Sequence, residues 1–348
     1  MSDSATMVVL AQAPLEAAHR PTFTKPELQE YMRRINIPVD RRKSPIWDDG
    51  SLARTKEHGL PLLHLLTRYH TCAVPFENLE LHYSAHRQIT LEPRDLYRKI
   101  VSKRRGGRCM EHNTFFGTVL RSVGFEVRNC AGRVARAVSP WTEVRRDQGK
   151  TYDGWNHMLN LVRLDKQWYV VDVGMGAMGP NLPYPLEDGF ETTSIAPRKI
   201  RLQLRAIPET YADSTLSHTG PPKLWCYDVC YKPSEKPSED SWVPFYCFTE
   251  TEFLPQDYEM MSWYTSTHER SFFTKMMMCT RMVMDESGEK LVGDVTLVEG
   301  IIRKTIGGER ETIRECGSEK ERIEALEEVF DVVLTEEERA AVRSDVAL

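Results

Sequence analysis

The segment 105–115, RGGRCMEHNTF, holds the residue best suited to nucleophilic chemistry, Cys109. It follows a Gly-Gly pair read as a turn and precedes a stretch with the pattern of a helix. A thiol at a helix N-terminus faces unpaired N–H groups and the positive end of the helix dipole, and both favour the thiolate. Arg104, Arg105 and Arg108 push the local potential the same way. Thiolate is the nucleophilic form of cysteine, so an acyl-accepting sulfur belongs here. Most cysteines are buried and inert. The glycines and the partners further along the chain argue for more.

A cysteine nucleophile needs a base, and the base needs a group that holds its tautomer. Among the ten histidines, His157 opens the strand-like HMLNLV directly after the turn Asp153-Gly154-Trp155. A strand end at a turn is rigid and still reaches a cleft. Asp172 ends the next strand of the same hairpin, in VVDVG. Antiparallel pairing sets the start of one strand beside the end of the next. A carboxylate among valines is costly unless paired, and His157 would be its partner. Cys109, His157 and Asp172 are the candidate triad.

The elements that must position them fall into three stretches. Apolar residues at helical spacing predict helices over 25–35, 60–69, 93–102 and 113–123, the last stopping at Gly124. After Phe125 the period changes to strands, over 127–138, 157–164, 167–172 and 198–207. Residues 208–242, with KPSEKPSED, read as an exposed linker or insertion. Strands resume at 245–249, 272–284 and 295–299, and helices close the chain at 319–330 and 336–342. The expected division is a loose tail over 1–22, a helical bundle over 23–124 carrying the nucleophile, a β-rich unit over 125–245 and an α/β unit over 246–348.

With 348 residues, the chain is long enough for two or three domains. Its 41% apolar and 28% charged residues are ordinary for a globular protein. A net charge of −5 argues against a nucleic-acid partner, which calls for a basic face. No run approaches the ~18 apolar residues that span a bilayer, and the N-terminal apolar run lacks a basic flank, so no membrane or secretory role is expected. Eight scattered cysteines fit reduced thiols in the cytoplasm. Cys226 and Cys230 alone lie close, and no second pair completes a zinc site, so no metal is expected.

Taken together, RGGRCMEHN, the His157 strand and VDVGMG resemble the arylamine N-acetyltransferase family. The resemblance extends to VPFENLELH at 74–82, to 91–108 before the cysteine, to 182–189 and to 265–274, and covers about 23–345. It implies an α+β, three-domain protein with a cysteine-protease-like core: helical bundle, β-barrel and α/β lid, as a monomer or weak homodimer. It implies a ping-pong reaction in which Cys109 takes an acyl group from acyl-coenzyme A and passes it to an arylamine, arylhydrazine or N-hydroxyarylamine in xenobiotic detoxification. His157 would shuttle the proton and Asp172 orient it. No permanently bound cofactor is implied; acetyl- or malonyl-coenzyme A is the co-substrate.

Arg108, Val134, Gly154, Asn156, Met175 and Tyr246 are the candidate substrate- and coenzyme A-binding residues. Arg105, Gly106, Gly107, Glu111 and Asn113 belong to the structural motif, with Glu111 expected to pair with an arginine such as Arg105 and Asn113 to brace the helix start. Arg104, Arg105 and Arg108 would hold coenzyme A phosphates or form a solvated basic patch that steers an anionic donor. Met175 stands where the family usually has an aromatic residue, which implies a more adaptable acceptor site. The longer 208–242 stretch and the extra tail resemble fungal members, some of which use malonyl-coenzyme A. A malonyl carboxylate would need a cation or strong donor, for which Arg133, Asn156 and Arg108 stand as alternatives. A thiol peptidase or transglutaminase-like enzyme could use the same triad, and a binding protein could keep the fold without the chemistry.

Overall fold

Caps set the helix starts more closely than apolar spacing does. The computed structural model describes residues 20–211, 220–231, 233 and 238–348. α1 (Lys25–Arg34) begins where Glu27 accepts the Thr24 N–H at 2.7 Å. β1 is the short strand Phe76–Glu77. α2 (Lys56–Ala73) starts a turn before the apolar pattern because Thr55 caps it. α3 (Pro93–Tyr97) runs into a π-helical turn, Arg98–Ser102. α4 (Cys109–Val123) ends at Gly124, whose φ of 117° suits a residue without Cβ. Phe115, Phe116, Val119 and Leu120 of α4 join Leu63, Leu66 and Ile100 in one core.

Strands follow as β2 (Glu126–Val134), β3 (His157–Leu164) and β4 (Gln167–Val171), with α5 (Thr142–Gln148) between the first two. β5 (Tyr184–Pro185), β6 (Glu191–Thr193), β7 (Lys199–Arg205), β8 (Leu224–Cys230) and β9 (Val243–Glu252) complete an antiparallel sheet in the order β5-β4-β3-β2-β9-β8-β7-β6. Leu159, Val170, Leu202, Tyr227 and Phe245 fill its interior.

The reading of 208–242 as an exposed linker is corrected by β8. Trp225 to Cys230 are buried, and the strand pairs with both β7 and β9. The alternation of WCYDVC is masked in sequence by its Pro- and Lys-rich surroundings, part of which lies outside the described residues. Cys226 and Cys230 are buried free thiols on the face of β8 opposite Tyr227, where Cys226 packs against Ala135, Tyr152 and Cys247.

A second antiparallel sheet has the order β1-β10-β11-β12-β13, with β10 (Met278–Met284), β11 (Leu291–Val298), β12 (Ile301–Ile306) and β13 (Glu309–Glu315). The strand expected from 272 begins only at Met278, since Phe272–Thr274 is a 3₁₀ turn. α6 (Pro255–Thr267) precedes this sheet, and α7 (Glu319–Phe330) and α8 (Glu336–Ala340) follow it. Leu79, Leu297, Leu326 and Phe330 form the core between them. Helices and antiparallel sheets together make an α+β fold. β1 pairs with β10, so the strand against which Gly107 is bridged belongs to the C-terminal sheet.

Candidate active site

Close backbone packing, more than a turn, holds the loop before Cys109. A Cβ added to Gly106 would lie 1.7 Å from Pro75 O, and Gly107 forms a β-bridge with Phe76. The left-handed residue that turns the chain is Arg104, at φ 57°. The basic patch expected from Arg104, Arg105 and Arg108 does not form, because Arg105 and Arg108 are only 3% exposed. Arg105 donates to Glu338 Oε1 of α8 at 2.6 Å and lies 3.5 Å from Glu77, and Arg104 donates to Asp331 at 2.9 Å. Arg108 turns beneath α6, donating to Thr265 Oγ1 at 3.1 Å and Ser266 Oγ at 2.6 Å.

The arginine paired with Glu111 is Arg108, whose Nε lies 3.8 Å from it, and not Arg105. The Glu111 carboxylate accepts from Lys99 Nζ at 2.7 Å and from the Arg108 N–H at 2.9 Å. The second bond is one half of a capping box. Arg108, with no side-chain acceptor, cannot supply the other half.

Cys109 is the first residue of α4, so its N–H belongs to the unpaired first turn. Its Sγ lies 3.8 Å from Asn156 O. His157 opens β3 opposite Gly132 of β2, and its Nε2 lies 2.8 Å from Asp172 Oδ2. Its other ring nitrogen, Nδ1, is buried without a hydrogen-bond partner of ordinary geometry. Burial alone would strip the proton from His157. The Asp172 charge and hydrogen bond outweigh burial, Cys109 adds to them, and the pKa is pushed up to about 10. Burial likewise works against the Asp172 carboxylate. The His157 charge, with hydrogen bonds from His157, Asn113 and the Gly174 N–H, holds it below the usual carboxylate range. His157 and Asp172 therefore stand as an ion pair at neutral pH.

Asn113 does more than brace the start of α4. Its Nδ2 donates to Asp172 Oδ1 at 2.9 Å and to Met158 O at 2.7 Å. Asn160 Nδ2 donates to Asn113 O at 3.0 Å, and Asn129 Nδ2 to Asn160 Oδ1 at 2.6 Å, so three amides tie α4 to β3 and β2. Sequence reasoning passed over Asn160 and Asn129; a polar residue inside an apolar strand run was the available signal. A Cβ on Gly174 would lie 2.7 Å from Cys109 Cα, so only glycine lets the hairpin end rest on Cys109.

Cys109 and His157 border a cavity of about 1960 Å³ between the two sheets. Val134, Gly154, Asn156 and Met175 line it, as does Arg198, which the sequence did not single out. Tyr246 stands behind His157, its ring 5.1 Å from the imidazole. Arg108 also lies behind the wall. Asn156 accepts from the Val134 N–H at 2.9 Å, and Arg133 lies over the Trp155 ring at 4.2 Å while donating to Asp153 O. Among the described residues no helix is long and apolar enough to cross a membrane.

A nucleophile candidate at a helix start, beside a charged His-Asp pair and a large cleft, is the arrangement of an acyl-transfer enzyme. Residues 59–339 match the family described as N-acetyltransferase, and the chain belongs to the arylamine N-acetyltransferase family as an acyltransferase. It is 61% identical over 319 residues to a protein of Fusarium pseudograminearum (strain CS3096) named N-malonyltransferase FDB2, covering 92% of each chain. A protein of the same name from Gibberella moniliformis is 58% identical over 345 residues, 97% of each chain. Among solved structures, arylamine N-acetyltransferase of Mycobacterium marinum in complex with CoA superposes with a TM-score of 0.69 at 24% identity. That match covers 92% of this chain and all of the other, and it supports the fold.

Proposed function

We propose that this protein transfers a malonyl group from malonyl-coenzyme A to an arylamine nitrogen through a thioester on Cys109. The observation that carries the chemistry is the 2.8 Å contact between His157 and Asp172, beside a cavity that Cys109 also borders. The relatives' name, N-malonyltransferase, at 58–61% identity over nearly the whole chain supports the choice of donor.

In the first half-reaction the Cys109 sulfur, as thiolate paired with the His157 imidazolium, attacks the donor's thioester carbonyl. The new S–C bond forms, the bond from that carbon to the coenzyme A sulfur breaks, and the departing sulfur takes the proton from His157. Unpaired N–H groups of the first turn of α4 would serve as donors for the oxyanion. In the second half the amine attacks the Cys109 thioester, the neutral His157 takes the nitrogen's proton, and Cys109 leaves as thiolate. Asp172, fixed by Asn113 and the Gly174 N–H, keeps the imidazole aimed throughout.

Incubation with malonyl- or acetyl-coenzyme A without amine, followed by intact-mass analysis, tests this reading. A malonyl adduct that is absent from Cys109→Ser is expected. Labelling by neither donor overturns the transferase mechanism, and labelling by acetyl-coenzyme A alone overturns the donor.

A further inference from the structure

Behind the His157–Asp172 pair, side-chain donors run in one line from a guanidinium to the carboxylate. Arg121, in the last turn of α4, donates from Nη1 to Asn129 Oδ1 at 3.2 Å. Asn129 Nδ2 donates to Asn160 Oδ1 at 2.6 Å. Asn160 Nδ2 donates to Asn113 O at 3.0 Å and reaches Asn113 Oδ1 at 3.4 Å. Asn113 Nδ2 completes the line at Asp172 Oδ1, 2.9 Å away. Asn113 and Asn160 are fully buried, and Asn129 is 3% exposed. Gly117 of α4 makes room for them, since a Cβ there would lie 2.9 Å from Asn160 Oδ1 and 3.1 Å from Asn129 Nδ2.

A side-chain amide can point either way, and here both ends of the line dictate the same direction. A guanidinium only donates, so Asn129 turns Oδ1 to Arg121 and Nδ2 to Asn160. Asn160 must then present Oδ1 to Asn129 and Nδ2 to Asn113. At the far end Met158 O and the Asp172 carboxylate only accept, so Asn113 turns Nδ2 to them. Its Oδ1 is left for Asn160 and for the Val173 N–H at 3.3 Å. Glu252, the carboxylate whose charge Arg121 feels, is held by Arg20 at 2.7 Å. Arg121 Nη2 reaches Thr118 Oγ1 at 3.4 Å and its Nε is buried without a partner, so its shorter hydrogen bond is the one to Asn129.

An amide whose carbonyl accepts a hydrogen bond becomes a stronger donor, so aligned amides reinforce one another. A carboxylate given stronger donors holds a shared proton less firmly. We propose that Arg121, Asn129 and Asn160 are positioning residues that act through Asn113, strengthening its donation to Asp172 and so easing release of the His157 proton. The use of that proton rests on the acyl-transfer reading above, in which the departing sulfur takes it. On the other sides of the pair, Cys109 faces His157 from α4, and Tyr184, Tyr227 and Tyr246 lie in the field of Asp172. Burial keeps those three tyrosines neutral.

The proton shared by His157 and Asp172 gives a far-downfield NMR signal, which moves further downfield as the carboxylate draws it harder. It is read on the whole protein near neutral pH and assigned by its loss in His157→Gln. Asn160→Leu and Arg121→Met should each move it downfield. Each should also slow thioester formation from malonyl-coenzyme A roughly 3- to 10-fold, the worth of one weakened hydrogen bond. The shift belongs to folded molecules alone, so a smaller folded fraction cannot imitate it. Arg121→Lys, which keeps a donor cation, should lie near the wild type in both measurements. Arg121 is half-buried, so Arg121→Met carries the test if Asn160→Leu does not fold. A signal that stays or moves upfield in either folded variant overturns the assignment, as does an unchanged rate of thioester formation or a wild type without the signal. Because the signal needs no acyl donor, a wild type that shows it yet forms no thioester fails at the transferase reading instead.

Discussion

Two buried histidine centres touch α4, and they hold their protons in opposite ways. At one, His157 meets the Asp172 carboxylate at 2.8 Å. At the other, His112 of α4 lies against Pro75 O at 3.0 Å, His70 Nε2 lies 3.0 Å from His112 Nδ1, and Tyr31 Oη lies 2.9 Å from His70 Nδ1. Because a carbonyl only accepts, His112 must donate from Nε2, His70 must donate to His112, and Tyr31 must donate to His70. All three groups are then satisfied while neutral. Exposure is 0% for His157 and His70 and 1% for His112, so burial does not separate the two centres. Burial drives His70 well below the ordinary 6.5, with help from His112 and Arg34, and it lowers His112. A carboxylate within hydrogen-bond reach reverses that outcome at His157. The partner decides the charge state, and the charge state decides which histidine is equipped to move a proton.

The largest test of this contrast is catalytic. Asp172→Asn should slow thioester formation on Cys109 by about 10³- to 10⁴-fold, the usual cost of an imidazole held without its carboxylate. His70→Phe should slow it only as far as it lowers the folded fraction. Stopped-flow mass labelling of both variants reads this, and equal losses would break the contrast.

The next test is the alkaline limb of stability. His157 has its pKa raised from 6.5 in the unfolded chain to about 10 in the fold. Its contribution is therefore complete below 6.5 and is lost as pH rises toward 10, with a slope of up to about 1.4 kcal/mol per pH unit. Urea denaturation from pH 6.5 to 9.5 should show that decline in the wild type and a flatter one in Asp172→Asn. Parallel curves would mean that His157 is neutral in the fold.

The smallest expected effect lies on the acid side. For His70 and His112 the unfolded chain takes protons first, so stability is lost as pH falls through 6.5. His70→Phe should cost about 1–3 kcal/mol near pH 7 by stranding the Tyr31 hydroxyl and His112 Nδ1. It should also flatten the acid limb, and a steeper limb would contradict the neutral assignment.

How much of this was legible beforehand depended on whether period or partner carried the information. The His157–Asp172 neighbourhood could be read because hairpin pairing fixes it from local pattern alone. α4 could be read from its apolar face and from Gly124. α6 could not: Met260 and Trp263 point outward while Ser262 and Thr265 point inward, so no apolar face marks it. β13, ERETIRE, is mostly exposed and reads as a charged loop. Arg105 and Arg108 looked like surface because their partners, Glu338 and the hydroxyls of α6, lie far along the chain.

The pairing of Arg105 with Glu338 joins residues 233 positions apart. During synthesis the nucleophile loop emerges from the ribosome long before α8 is made, so the clamp on that loop cannot close on a growing chain. Until α8 is made the loop has only its earlier-made partners, among them Pro75, Phe76 and Glu77, and the Glu338 contact is added as translation reaches its last stretch.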